Sequence, residues 1–251
     1  MSWLYLALNA AVISIPLAFS WHGELRFVDR WRAFFPACLL VLLFFIAWDI
    51  PFAAWGVWGF DDRYLLGPRI AGLPLEEWLF FLCIPYACVF TYHCLARLSV
   101  QWVGDGLARG LTAGVGFLAL VLAIIYWGRL YTTTTCVLVA LFAGWMVWKR
   151  PPWIPGFWTA YLVLLVPFVG TNGVLTGVRF WQYPLINTQP QAVVDHVVWY
   201  DNAQNLAVRF LSIPLDDFLY AFLLIGLNVA LLEYFSSRDR RESVGRAEPT
   251  A

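Results

Sequence analysis

Leu73-Pro-Leu-Glu-Glu-Trp-Leu-Phe-Phe-Leu82 and Ile213-Pro-Leu-Asp-Asp-Phe-Leu-Tyr-Ala-Phe222 are one pattern written twice, 140 residues apart. Pro, Leu, two acids, an aromatic, Leu and a further aromatic recur in order, and Arg69 and Arg209 keep the same spacing. Agreement at this many positions predicts a duplicated unit. In each copy the Pro suits the first turn of a helix, where its missing N–H is not needed. The two carboxylates that follow meet free backbone donors and the positive end of the helix dipole. Each copy therefore reads as the start of an apolar helix with a pair of acids at its mouth.

The surroundings are those of a membrane protein. Of 251 residues, 61% are apolar and only 13% charged, with 15 Trp, 20 Phe and a mean hydropathy of +0.70. Apolar surface in such excess is solvated by lipid, which excludes an ordinary water-soluble domain, a disordered chain and a disulfide scaffold. Sixteen basic residues balance sixteen acidic ones, so no electrostatic footprint for nucleic acid is present. Seven windows reach the length and apolarity of a span: 3–20, 33–50, 74–95, 110–127, 130–148, 155–171 and 214–235.

Spans and repeat together give a fold: an all-α integral membrane protein with about seven transmembrane helices, arranged as two parallel three-helix repeats joined by a linking helix. The expected division is 1–96 for the first repeat, 97–128 for linker and linking helix, 129–236 for the second repeat and 237–251 for a polar tail. The third span corresponds to the seventh, an even displacement, so both copies share one orientation and both acid pairs reach the same membrane face. One set of loops holds eleven cations and the other five (Arg63, Arg69, Arg129, Arg179, Arg209), which predicts a cytoplasmic C-terminus and an outer N-terminus.

Four acids at the edge of hydrocarbon are costly and point to function. In Glu76-Glu77 and Asp216-Asp217, two neighbouring carboxyls with little water cannot both ionise cheaply. One acid and one carboxylate per pair is expected, able to give a proton and take one back, as an acid-started isomerisation requires. Asp49 and Asn172, polar residues near the ends of the preceding spans, are candidates for orienting or base-side roles. Trp55, Trp58, Phe60, Trp78, Phe80, Phe81 and Tyr220 place ring faces nearby, suited to stabilising a cation or to forming an interfacial belt. Arg69 and Arg209 are candidate charge partners of the acids. His22, His93 and His196 are lone, and the five cysteines lack metal-ligand spacing. No GxGxxG, Walker loop or HExxH occurs, so no metal and no cofactor is indicated. A need for reduced flavin, nicotinamide or bound lipid would leave no trace in such motifs.

Trp55-Gly-Val-Trp-Gly-Phe60, Arg63-Tyr64, the two acidic motifs, Phe90-Thr-Tyr92, Asn172-Gly-Val-Leu-Thr-Gly177, Val198-Trp-Tyr200, Asn205-Leu206 and Asn228 resemble the membrane-integral lycopene cyclase domain family. That family occurs as two small subunits in some bacteria, as one fused chain in others, and as the cyclase part of fungal bifunctional enzymes that also make phytoene. The resemblance implies a lycopene β-cyclase, an intramolecular lyase or isomerase of carotenoid biosynthesis. It would take lycopene and γ-carotene as lipophilic substrates, within a bacterial inner membrane, and yield β-ionone rings. The family signature of Pro, any residue, Glu, then Glu or Asp falls on Pro74, Glu76 and Glu77, and on Pro214, Asp216 and Asp217. The second copy departs from it with Asp at 216. Which acid donates the proton, and the oligomeric state, stay open. The rival readings are a parallel-repeat transporter using its carboxylates as ion sites, and another isoprenoid-modifying membrane enzyme. A metal-dependent prenyl transferase would need spaced Asp motifs, which adjacent Asp61-Asp62 and Asp216-Asp217 do not supply.

Overall fold

The computed structural model describes residues 2–247, with side chains through Arg238. Each apolar window becomes a helix: α1 (Leu4–Phe19), α2 (Trp31–Ala54), α3 (Leu75–Arg97), α4 (Asp105–Ile125), α5 (Leu130–Lys149), α6 (Ile154–Thr176) and α7 (Leu215–Ala247). Among the described residues α2 to α7 are long and apolar enough to cross a bilayer, while α1 is apolar but shorter. The chain is an all-α integral membrane protein. Its backbone donors and acceptors are satisfied within helices, the arrangement that hydrocarbon demands. α1, with 16 residues, measures about 24 Å, short of the roughly 30 Å hydrocarbon core. The expected polar tail begins as a continuation of α7, which stays helical to Ala247; residues 248–251 lie outside the described part.

α3 and α7 are the centre. α3 packs against α1, α2, α6 and α7, and α7 packs against α2 and α5 as well, so the two acid-bearing helices lie side by side inside the bundle. The core around them is largely aromatic: Phe27, Phe34, Phe45, Phe81, Phe157 and Phe222 are almost fully buried. α4 packs against α5 and α6 at the periphery, and its Phe117, Ile124 and Ile125 are exposed, as a lipid-facing helix requires. Pro85 inside α3 leaves the Phe81 carbonyl, four residues back, without its helical donor. The Cys38 thiol of α2 donates to that oxygen at 3.5 Å, so the break in the ladder is repaired by a neighbouring helix.

The loops that precede α3 and α7 fold alike. In the first, strands β2 (Arg69–Ile70) and β3 (Leu73–Pro74) pair antiparallel; in the second, β6 (Arg209–Phe210) and β7 (Ile213–Pro214) do so in the same register, with β4 (Ile186–Asn187) added at the edge. Both turns start with a residue in the left-handed region, Ala71 at φ 51° and Leu211 at φ 57°. The Leu75 N–H donates to the Pro68 carbonyl and the Leu215 N–H to the Val208 carbonyl, each at 3.0 Å. Equal backbone bonds at equal spacing show that the repeated sequence encodes a repeated local structure.

A last strand pair joins the copies. β1 (Trp58–Phe60) runs antiparallel to β5 (Val198–Tyr200) with Trp58 opposite Tyr200, Gly59 opposite Trp199 and Phe60 opposite Val198. The flanking bonds are reciprocal, Asp61 N–H to Val197 O and Asp201 N–H to Val57 O, both 2.9 Å. Gly59 and Trp199 are themselves related by the 140-residue spacing, so a local two-fold axis passes between them. The short strands lie over the starts of α3 and α7 and roof the space between the copies.

Candidate active site

Within each acid pair the two carboxyls face different ways, because successive residues on a helix point about 100° apart. Glu76 Oε1 accepts the Leu66 backbone N–H at 2.6 Å, and Asp216 Oδ2 accepts that of Leu206 at 3.0 Å. Thr132 donates to Asp216 Oδ1 as well, at 2.5 Å. These outer acids tie their loops down onto the helix. The inner acids, Glu77 and Asp217, turn into the bundle.

Glu77 Oε2 accepts the Tyr5 hydroxyl at 2.5 Å. Asp217 accepts three donors: Tyr131 at 2.6 Å, Asn172 Nδ2 at 2.7 Å and Tyr200 at 3.2 Å. Tyr5 stands at the start of α1 and Tyr131 at the start of α5, so each inner acid takes a tyrosine hydroxyl from the beginning of another helix. Asp49, buried in α2, accepts the Trp58 indole N–H at 2.6 Å through Oδ1, and its Oδ2 has no partner among the described residues. Tyr200 stands in the roof strand, where burial and the nearby Asp217 hold its phenol pKa well above the ordinary value. It remains a hydrogen-bond donor throughout the physiological range.

Glu77, Asp217, Asp49 and Asn172 all line one cavity of about 280 Å³. Trp58, Phe60, Phe80 and Tyr220 add their rings to its wall, together with Tyr5, Tyr131 and Tyr200. From this polar end the cavity runs on between apolar stretches of α1, α3, α6 and α7, reaching Pro16, Thr91 and Leu164. Thr91 lies fourteen residues beyond Glu77, so this wall extends about 21 Å along α3. Acids sit at one end of the slot, and the rest is hydrocarbon-like.

The other sequence candidates lie elsewhere. Glu76 and Asp216 do not line this cavity. Trp55 is 66% exposed, Trp78 directs its indole N–H to the Ile70 carbonyl at 3.2 Å, and Phe81 is packed in the core against Phe45. Arg69 pairs with Asp62 at 2.7 Å, and Arg209 donates to the Ser212 carbonyl and to Asn202. Among the described residues neither arginine forms an ion pair with the acid pairs. Tyr5, Tyr131 and Tyr200 line the site without having been assigned a role from sequence, although Tyr200 stands in the Val198-Trp-Tyr200 motif. A signal existed for two of them: Leu4-Tyr5 and Leu130-Tyr131 stand alike at the start of the first span of each copy.

The arrangement brings together carboxyls, phenols and aromatic rings around an elongated, largely apolar space. The lycopene cyclase family profile matches residues 2–95 and 128–235, most of the chain. A bifunctional lycopene cyclase/phytoene synthase of Pyrenophora tritici-repentis (strain Pt-1C-BFP) is 32% identical over 92 residues, a stretch covering 33% of this chain and 15% of that protein. The match thus spans a small fraction of that relative's length. No solved structure matches the chain.

Proposed function

The chain belongs to the lycopene cyclase family, and from that membership we propose that it converts linear ends of lycopene into β-ionone rings, giving γ-carotene and then β-carotene. The observation that carries the reading is the meeting of Glu77 and Asp217, one from each copy, in a single aromatic-walled slot of otherwise apolar character. Such a slot accepts the end of a polyene, with the remaining chain lying along the α1, α3, α6 and α7 faces.

The reaction needs a proton delivered to the terminal double bond, a carbocation that the neighbouring double bond attacks to close the ring, and loss of a ring proton. Atoms and electrons balance without an oxidant, so the net change is an isomerisation. Glu77 is the proton donor in this scheme. Among the described residues it receives one hydrogen bond, from Tyr5, and it shares the cavity wall with Asp49, whose second oxygen has no partner among them. Two such carboxyls in a largely apolar site suit one shared proton. Asp217 is the acceptor: three donors converge on it, and an ionised carboxylate, which only accepts, matches them. Trp58, Phe60, Phe80 and Tyr220 present ring faces to the cation, an attraction worth roughly 0.5–2 kcal/mol per ring. Glu76 and Asp216 hold the roof loops in place.

The same reading treats 1–96 and 129–236 as the two units that build the slot and 97–128 as their connection, with the C-terminus in the cytoplasm and the acids near the outer face. Pigment chromatography of lycopene-accumulating bacterial cells expressing this chain alone tests the activity. New γ-carotene and β-carotene are expected. Unchanged lycopene alongside confirmed membrane insertion would overturn the proposal.

A further inference from the structure

The two roof loops differ in how they treat their arginine. Arg69 donates to the Gly72 carbonyl at 3.0 Å and to the Asp62 carboxylate at 2.7 Å. Arg209 repeats both bonds, to the Ser212 carbonyl at 2.7 Å and to Oδ1 of residue 202 at 3.0 Å, but residue 202 is Asn. The ion pair of the first copy has lost its anion. Burial has moved the opposite way: the Arg69 side chain is 38% exposed, whereas Arg209 is 4% exposed. Arg209 Nε has no hydrogen-bond partner among the described residues. Burial pushes its guanidinium pKa below the ordinary value, yet an arginine stays charged in any protein interior.

Nearby carboxylates are engaged elsewhere. Asp217 is satisfied by Tyr131, Asn172 and Tyr200. Asp61 pairs with Arg63 at 2.7 Å, and Asp195 takes Arg63 at 3.5 Å and the Tyr64 hydroxyl. Asp217 and Asp216 act on Arg209 from a distance, but among the described residues no carboxylate stands in ion-pair contact with it, and a buried cation lacking a direct partner is costly.

Beside Arg209 lies a second cavity, of about 300 Å³, whose polar wall comprises Arg209, His196, Asn202, Gln191 and Tyr200, with no Asp or Glu. Burial and Arg209 lower the His196 pKa, leaving a neutral imidazole with one N–H to donate. Arg209 lines this cavity, and each of its terminal nitrogens keeps a second hydrogen beyond those given to Ser212 and Asn202, donors suited to an oxyanion. We propose that this cavity binds a phosphate-type oxyanion, which completes the charge pair that Asp62 supplies in the other copy. The loop lies at the start of α7, at the membrane boundary, where the phosphate of a lipid headgroup and free phosphate present the same chemistry.

Tyr200 connects this site to the slot. It lines both cavities, the Arg209 guanidinium stands 5.7 Å from its ring centre, and its hydroxyl donates to Asp217. An occupied site fixes Arg209, and with it the roof strand that carries Tyr200.

The test follows from the protein's own repeat, since Asn202→Asp installs the internal anion of the first copy. Full-length protein in maltoside micelles, which carry no phosphate, is titrated with inorganic phosphate or with phosphatidylglycerol, and thermal unfolding is followed. Wild type should gain about 2–4 °C in Tm as the site fills. Asn202→Asp should fold and respond to neither probe, and Arg209→Gln should also lose the response. A shift with inorganic phosphate identifies a free-anion site; a shift with phosphatidylglycerol alone identifies a headgroup site. Failure of both probes to move wild type, or an Asn202→Asp response equal to that of wild type, overturns the proposal. The readout is independent of cyclisation, so failure of the functional reading and failure of this one are distinguishable.

Discussion

Adjacent acids with opposite assignments make the residue scale the sharpest place to test the site. Glu77→Gln keeps the shape and the Tyr5 contact but removes the transferable proton, and Asp217→Asn removes the acceptor. Each should lower ring formation by about 10²–10⁴-fold with protein level unchanged, measured as β-carotene and γ-carotene per unit of membrane-inserted protein. Glu76→Gln can still accept the Leu66 N–H through its amide oxygen, so it should retain much more activity than Glu77→Gln; equal loss in the two would refute the division. Tyr131→Phe leaves Asp217 with two donors instead of three and should cost about 1–2 kcal/mol in stability, seen as a lower Tm, together with slower turnover. The sequence made the acid pairs legible through repetition, and the polar positions Asp49 and Asn172 through their apolar surroundings. It did not show which acid of each pair faces inward. A step of one residue along a helix turns a side chain from loop to cavity, and only the packing of α1 and α5 against α3 and α7 reveals which side is which.

Elements divide by length in the same way. Helices of 20 residues or so announce themselves by composition, and all seven windows fall on helices with ends displaced by a few residues, except that α7 runs on to Ala247. The strands are two or three residues long, too short for a period-two pattern to rise above its surroundings, so the roof was invisible before the fold was known. Yet the roof carries Trp58, Phe60 and Tyr200 into the site. A Cβ at Gly59 would overlap the indole ring of Trp199, so Gly59→Ala must displace that ring or part β1 from β5. The expected cost is about 1–3 kcal/mol of stability, with a larger fractional loss of activity than of folded protein. Membrane-fraction abundance measured beside pigment yield checks this, and an active, normally stable Gly59→Ala protein would show that the β1–β5 pairing does not shape the slot.

For the whole molecule, two copies of an acid-bearing unit have made one cavity rather than two sites. At about 280 Å³ it lies at the lower edge of the range for small-ligand sites, room for one end of a long polyene at a time. In the proposed reaction both ends of lycopene would visit in turn, and the monocyclic γ-carotene should leave between visits. A time course at low enzyme should show γ-carotene rising before β-carotene and exchanging with added labelled γ-carotene; bicyclic product formed with no exchange would exclude release. The axis between the copies carries a further consequence, one of ancestry. On a two-fold axis a dimer of identical chains must set the residue at the axis against itself: Gly against Gly leaves a void, and Trp against Trp collides. The fit of the Trp199 indole over Gly59 is open only to two halves that have already become different. The pair at the axis is thus a record of divergence, and the unequal acids on either side, Glu77 with one donor and Asp217 with three, are what that divergence made room for.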